Sequence, residues 1–124
     1  MNTAAPEWHA RADALQIDGR AVIDGQRIEA RDGRQFDKHS PVDGRRLAAV
    51  ARGQAADVDA AVKAARAAFD DGRWSAKPPA ARKKILQRFA DKILAARDEL
   101  ALLETLDMGK PIQYSLSVDV PATA

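Results

Sequence analysis

The stretch Arg46-Leu47-Ala48-Ala49-Val50-Ala51-Arg52-Gly53-Gln54-Ala55-Ala56-Asp57-Val58-Asp59-Ala60-Ala61-Val62-Lys63-Ala64-Ala65-Arg66-Ala67-Ala68-Phe69 holds the point at which the chain changes its period. Up to Arg52 it reads as a strand. Around Gly53 the repeat lengthens from two residues to about 3.6. Val58, Ala61, Val62, Ala65 and Phe69 then fall at i, i+3, i+4, i+7 and i+11, one apolar stripe of an amphipathic helix. Asp57 and Asp59 lie in its first turn, where the helix dipole favours negative charge. The cap position falls on Gln54, a poor capping residue, so this helix start is expected to be loosely fixed. Gly72 closes the segment.

Toward the N-terminus the strand pattern continues. Ala21-Val22-Ile23 and Gln26-Arg27-Ile28 flank Asp24-Gly25, and an Asp-Gly pair between β-prone runs is a strong hairpin signal. Gln35 to His39 reads as a further strand, joined to Arg46–Arg52 through Ser40-Pro41-Val42-Asp43-Gly44. In that turn Pro41 is pre-set and Gly44 is free to take positive φ. Residues 6–17 are expected to form a short helix with Trp8, Ala12 and Leu15 on one face.

Toward the C-terminus Pro78-Pro79 opens a second helix, proline being suited to a first helical turn. Its apolar stripe is Leu86, Phe89, Ala90, Ile93 and Leu94, and its other face carries Arg82, Lys83, Lys84, Arg88 and Lys92. A third helix is expected from about Asp98, with Leu100, Leu103 and Leu106 inward. Met108-Gly109-Lys110-Pro111 stops it, glycine standing just past the helix and proline after that. A last segment spaces Ile112, Leu116 and Val120 at intervals of four and runs to Ala124 with no cap or turn signal, as if the chain stopped inside an element. The fold class is therefore α+β: antiparallel hairpins over about 20–52, followed by three to four helices over about 54–124.

Composition bounds the function. Charged residues make up 31% and hydrophobic residues 46%, so the chain is not of a disordered type. Alanine supplies much of the apolar share, which predicts a thin core. The formal charge of +2 gives no global pull toward nucleic acid or anionic lipid. No stretch has the roughly twenty apolar residues of a membrane span, and residues 1–12 carry no secretion-type apolar run, so a cytoplasmic chain is expected.

The residues of chemistry are scarce. There is no cysteine, hence no disulfide and no thiol nucleophile. His9 and His39 stand in polar, turn-like contexts that assemble no nucleophile–base pair. Gly109-Lys110 lacks the glycine and the Ser or Thr of a P-loop, since Glu104 and Pro111 hold those positions. No dinucleotide fingerprint and no His/Cys metal cluster is present. The cations from Arg82 to Lys92 could meet phosphates, which makes a small nucleic-acid-binding module the competing reading. A solvated outer face is favoured, because no aromatic residues interleave them and Asp70, Asp71, Asp91, Asp98 and Glu99 dilute the field.

From Val22 onward the sequence resembles the N-terminal part of the NAD(P)-dependent aldehyde dehydrogenases. Val22-Ile23-Asp24-Gly25 is similar to that family's opening strand and turn, and Ser40-Pro41-Val42-Asp43-Gly44 to its Asn-Pro-type turn. Asp57 to Phe69 resembles its first long helix, and Arg73-Trp74-Ser75 the segment after it. The most specific piece is Leu103-Glu104-Thr105-Leu106-Asp107-Met108-Gly109-Lys110-Pro111. Asp24 and Ser40 stand where the family usually has asparagine, and Arg45 where it often has glutamate. The resemblance implies a larger, homo-oligomeric enzyme that oxidises an aldehyde with NAD or NADP. Such an enzyme works through a cysteine thiohemiacetal, hydride transfer and hydrolysis of the thioester with help from a glutamate base. The family's catalytic and cofactor-binding residues lie beyond the matched region, so no catalytic or cofactor residue is assigned here. The single transfer is Asp107, as a ligand of a structural monovalent cation whose other partners lie outside the chain. The resemblance extends to the branch acting on amine-derived aldehydes such as γ-glutamyl-aminobutyraldehyde. It implies as partner the rest of such a chain or an intact paralogue, with the isolated chain inactive.

Overall fold

A computed structural model describes residues 4–124. The order is α1 (Ala4–Ala14), β1 (Ala21–Ile23), β2 (Gln26–Ile28), β3 (Gln35–His39), β4 (Arg46–Ala51), α2 (Ala55–Asp70), α3 (Pro79–Ala95) and α4 (Arg97–Met108). A last helical stretch follows: α5 (Ile112–Tyr114), a π-helical turn Ser115–Asp119, and α6 (Val120–Thr123). This is the α+β arrangement expected. The first helix ends at Ala14, earlier than the expected 6–17, so Leu15 lies outside it.

The chain divides into two units, one from Met1–Ile17, His39–Leu47 and Leu86–Ala124, the other from Asp18–Lys38 and Ala48–Ile85. The division falls within β3, β4 and α3.

The second unit is built on the β1–β2 hairpin, antiparallel with Ala21 opposite Ile28, Val22 opposite Arg27 and Ile23 opposite Gln26. Asp24 (φ 51°) and Gly25 (φ 74°) both take positive φ, as a two-residue turn matched to strand twist requires. Asp18 anchors the hairpin's base. Its carboxylate takes Arg20 and Arg27 at 2.7 Å each, and these guanidinium groups hold it far below the usual carboxylate range. β3 and β4 form a second two-stranded sheet. At Gly19 the chain runs against β4: the Ala51 N–H donates to the Gly19 carbonyl at 2.8 Å, and an added Cβ would stand 2.0 Å from the Ala49 oxygen.

Helix α2 packs on β1, but not through the stripe its periodicity marks out. Val58, Val62 and Phe69 are 57%, 62% and 57% exposed. The half-buried positions of α2 are Ala60, Ala61, Ala64 and Ala68 instead. Small side chains allow close approach to a short hairpin, whereas the larger residues point away from it.

The start of α2 is also firmer than Gln54 alone suggests. Asp57, only 5% exposed, accepts the Gln54 N–H at 2.9 Å and the Arg31 N–H at 3.1 Å. These two donors, Gln54 first, hold its pKa below the ordinary value against the cost of burial.

In the first unit α1 and the terminal helical stretch pack against α4. The deepest positions of α4 are Ala101 and Leu102; of the expected Leu100, Leu103 and Leu106, the last two are half-buried and Leu100 is 37% exposed. Among the described residues the buried apolar side chains are Ala30, Ala48, Ala101, Leu102 and Val120, a thin core as the alanine content implies.

Candidate functional site

Two pieces far apart in sequence meet in the first unit: the turn at 40–45 and the C-terminal end of α4. The turn is closed by Ser40 N–H to the Arg45 carbonyl and Gly44 N–H to the Ser40 carbonyl, both 2.9 Å. Ser40, 4% exposed, accepts the Val42 N–H on Oγ at 3.2 Å. Its hydroxyl thereby supplies the side-chain acceptor that an asparagine would otherwise give. Asp43 accepts the Arg45 N–H at 3.1 Å, which contributes most to holding its carboxyl below the usual range.

Helix α4 ends at Gly109 in the left-handed conformation (φ 75°), its N–H donating to the Thr105 carbonyl at 2.9 Å. A Cβ there would lie 3.2 Å from Pro41 Cγ, so glycine serves both the backbone turn and the approach to the 40–45 turn.

Beyond Gly109 two contacts set the direction of the terminal helices. Lys110 Nζ lies 2.5 Å from Asp119 Oδ2. The fully buried Ser115 has its hydroxyl 3.3 Å from that of Thr105. The π-helical turn between Ser115 and Asp119 inserts one residue into the repeat, which brings both Ser115 and Val120 inward. Neither contact was apparent from periodicity. The available signal was the pair of opposite charges, Lys110 and Asp119, on either side of Pro111.

Between α1, the 40–45 turn, α4 and α5 lies a cleft of about 470 Å3. Trp8, Leu102, Leu106, Ile112 and Leu116 give it apolar walls, with His9, Asp43, Arg45 and Gln113 among its polar lining. It contains no nucleophile paired with a base. His39, at the end of β3, is exposed and does not join His9 there.

Asp107 stands exposed in the last turn of α4. Among the described residues no three His, Cys, Asp or Glu side chains gather where they could hold a metal ion. The groups present do not by themselves make a cation site around Asp107, and donors from elsewhere would be needed. On α3 the cations Lys84, Arg88 and Lys92 recur every four residues on one exposed face. Arg82 is half-buried, so the expected set of five does not form one surface.

The geometry thus shows a tightly specified turn-and-helix junction. Residues 28–124 match the family described as "Aldehyde dehydrogenase family". The chain belongs to this family. It is similar to the NADP/NAD-dependent aldehyde dehydrogenase PuuC of Escherichia coli (strain K12), at 44% identity over 94% of the chain and 24% of that protein. Among solved structures it superposes on indole-3-acetaldehyde dehydrogenase AldA of P. syringae in complex with NAD+ and IAA, with a TM-score of 0.92. Identity there is 54% over 94% of the chain and 23% of that protein. A γ-glutamyl-γ-aminobutyraldehyde dehydrogenase from Burkholderia cenocepacia J2315 also gives 0.92, at 53% identity over 94% of the chain and 24% of its own. The chain therefore spans about a quarter of the length of the relatives it matches, and its α+β fold is that of their N-terminal part.

Proposed function

We infer that this chain supplies the N-terminal part of an NAD(P)-dependent aldehyde dehydrogenase, whose whole chain oxidises an aldehyde to the carboxylic acid. The observation that carries this reading is the retained fold, a TM-score of 0.92 at 54% identity across 94% of the chain. In this role the 20–52 hairpin region and the 54–124 helical region form a scaffold, and the reacting groups come from the remaining chain. Without cysteine the segment has no thiol to attack an aldehyde, so alone it is inactive. The uncovered stripe Val58, Val62 and Phe69 is where the remainder of the dehydrogenase packs.

NAD or NADP is the acceptor in this reading. It is supported by a relative named as using both and by another solved with NAD+. Amine-derived aldehydes are the favoured substrates, supported by the Burkholderia relative's name. Asp107 would give one carboxylate to a monovalent cation completed by donors from the remaining chain. In this reading the assembled enzyme works in the cytoplasm as a homo-oligomer. Among the described residues no helix is long and apolar enough to cross a membrane.

The test is a chimera that joins this chain to the E. coli relative from the point where the match ends. Aldehyde-dependent reduction of NAD or NADP by the chimera, with none by the chain alone, is the expected result. A folded chimera without turnover, or robust turnover by the isolated chain, would overturn the reading.

A further inference from the structure

Helix α1 is attached to its unit by two exposed ion pairs and by a narrow apolar contact. Trp8 and Ala12 are its half-buried positions among residues 7–14, and the rest of that span is exposed. Two ion pairs hold it: Arg11 Nη1 to Asp98 Oδ2 of α4 at 3.0 Å, and Arg45 Nη1 to Asp13 Oδ1 at 3.0 Å. Both lie in water, with side chains 41% and 41% exposed in the first and 39% and 71% in the second. Arg11 also sits over the Trp8 ring, Cζ 4.5 Å from its centroid, so the first latch and the indole form one assembly. Across the cleft, Trp8 faces the apolar wall of Leu102, Leu106, Ile112 and Leu116.

Exposed ion pairs contribute little each and are screened by salt. A segment with few half-buried side chains, whose remaining ties are two such pairs, belongs to the part of a molecule that opens most readily. We propose that α1 is an electrostatically latched strap, whose Trp8 occupies one side of the apolar cleft while the Arg11–Asp98 and Arg45–Asp13 pairs are closed. When the pairs release, the strap lifts and the wall of Leu102, Leu106, Ile112 and Leu116 is laid open to water and to apolar molecules. The proposal does not depend on the enzymatic reading, because latch and cleft lie within this chain.

The chain has two tryptophans, so Trp74→Phe leaves Trp8 as the sole indole reporter. Acrylamide quenching of Trp8 would be followed while NaCl is raised from about 0.05 to about 1 M, which shortens the screening length to about 3 Å. The quenching constant is expected to rise at least about twofold, the smallest change that loss of two weak surface pairs supplies. Binding of the dye anilinonaphthalene sulfonate should rise in parallel. Arg11→Gln with Arg45→Gln should show the high-salt value already at low salt and respond no further. Arg11→Lys with Arg45→Lys, which keeps the charges, should match the parent. A Trp8→Phe form, reporting from Trp74 alone, should not respond, which separates strap opening from general loosening. Trp8 quenching that ignores both salt and the double glutamine change would overturn the proposal.

Discussion

Asp57 shows how much a single side chain does here that its position in the sequence only half reveals. An aspartate in a first helical turn reads as a dipole partner. In the structure it ties the helix start to the preceding loop through the Gln54 and Arg31 N–H groups. Its lowered pKa fixes the sign of the pH dependence. A carboxylate stabilised in the folded state contributes fully at neutral pH. That contribution fades as pH falls below the ordinary value of about 3.9 and is gone below the folded-state pKa. Asp57→Asn should therefore lower the melting temperature at pH 7, and the gap to the parent should close as the solution is acidified through that range. A gap independent of pH would show that the charge is not what the two donors hold. Glycines tell a parallel story. Gly109 was legible as a helix stop, but its contact with Pro41 was not, since nothing local links positions so far apart. Gly109→Ala should cost about 1–2 kcal/mol from the left-handed backbone alone, read as a lower urea midpoint. Gly19 carried no visible signal, because its constraint is the passing β4 backbone.

At the level of elements, helices and hairpins were readable because their signals are local: the change of period at Gly53, the Asp24-Gly25 turn, the stop at Gly109. The faces were less readable. Periodicity shows that Val58, Val62 and Phe69 share a side of α2, and it says nothing of whether a partner is present on that side. The side that meets the hairpin is alanine, which a pattern of large apolar residues cannot announce. In α4 the deepest positions are Ala101 and Leu102, beside the half-buried Leu103 and Leu106, and the helix packs against a π-helical turn that no 3.6-residue template contains. Two substitutions separate covered from uncovered positions. Leu102→Ala, at 5% exposure, should destabilise by about 2–5 kcal/mol in chemical denaturation. Val62→Lys, at 62% exposure, should leave stability within about 0.5 kcal/mol while reducing self-association in sedimentation. Equal costs for the two would refute the assignment of faces.

For the whole molecule, the α+β class and the family were both legible, and for the same reason. The pieces Ser40–Gly44 and Leu103–Pro111, recognisable one by one, are those the fold brings into contact at Gly109 and Pro41. The chemistry was not legible in the same way: the chain has no cysteine, and its two histidines carry no motif that names a role. Asp107 illustrates the limit. Its place on α4 is fixed by local sequence, whereas the donors that would complete a cation site cannot be read from one quarter of a relative's length.

The central claim is that this segment presents apolar faces that the rest of an aldehyde dehydrogenase covers, and the alkylation rate of a thiol placed on α2 tests it most directly. The chain has no cysteine of its own, so Val62→Cys gives a site whose modification can be followed by peptide mass spectrometry. In the isolated chain the thiol should react at close to the rate of a free peptide. In the active chimera with the E. coli relative it should be at least about tenfold slower, as burial of a reactive thiol requires. Equal rates in a chimera that turns over aldehyde would contradict the account, because the stripe would then lie open in the working enzyme.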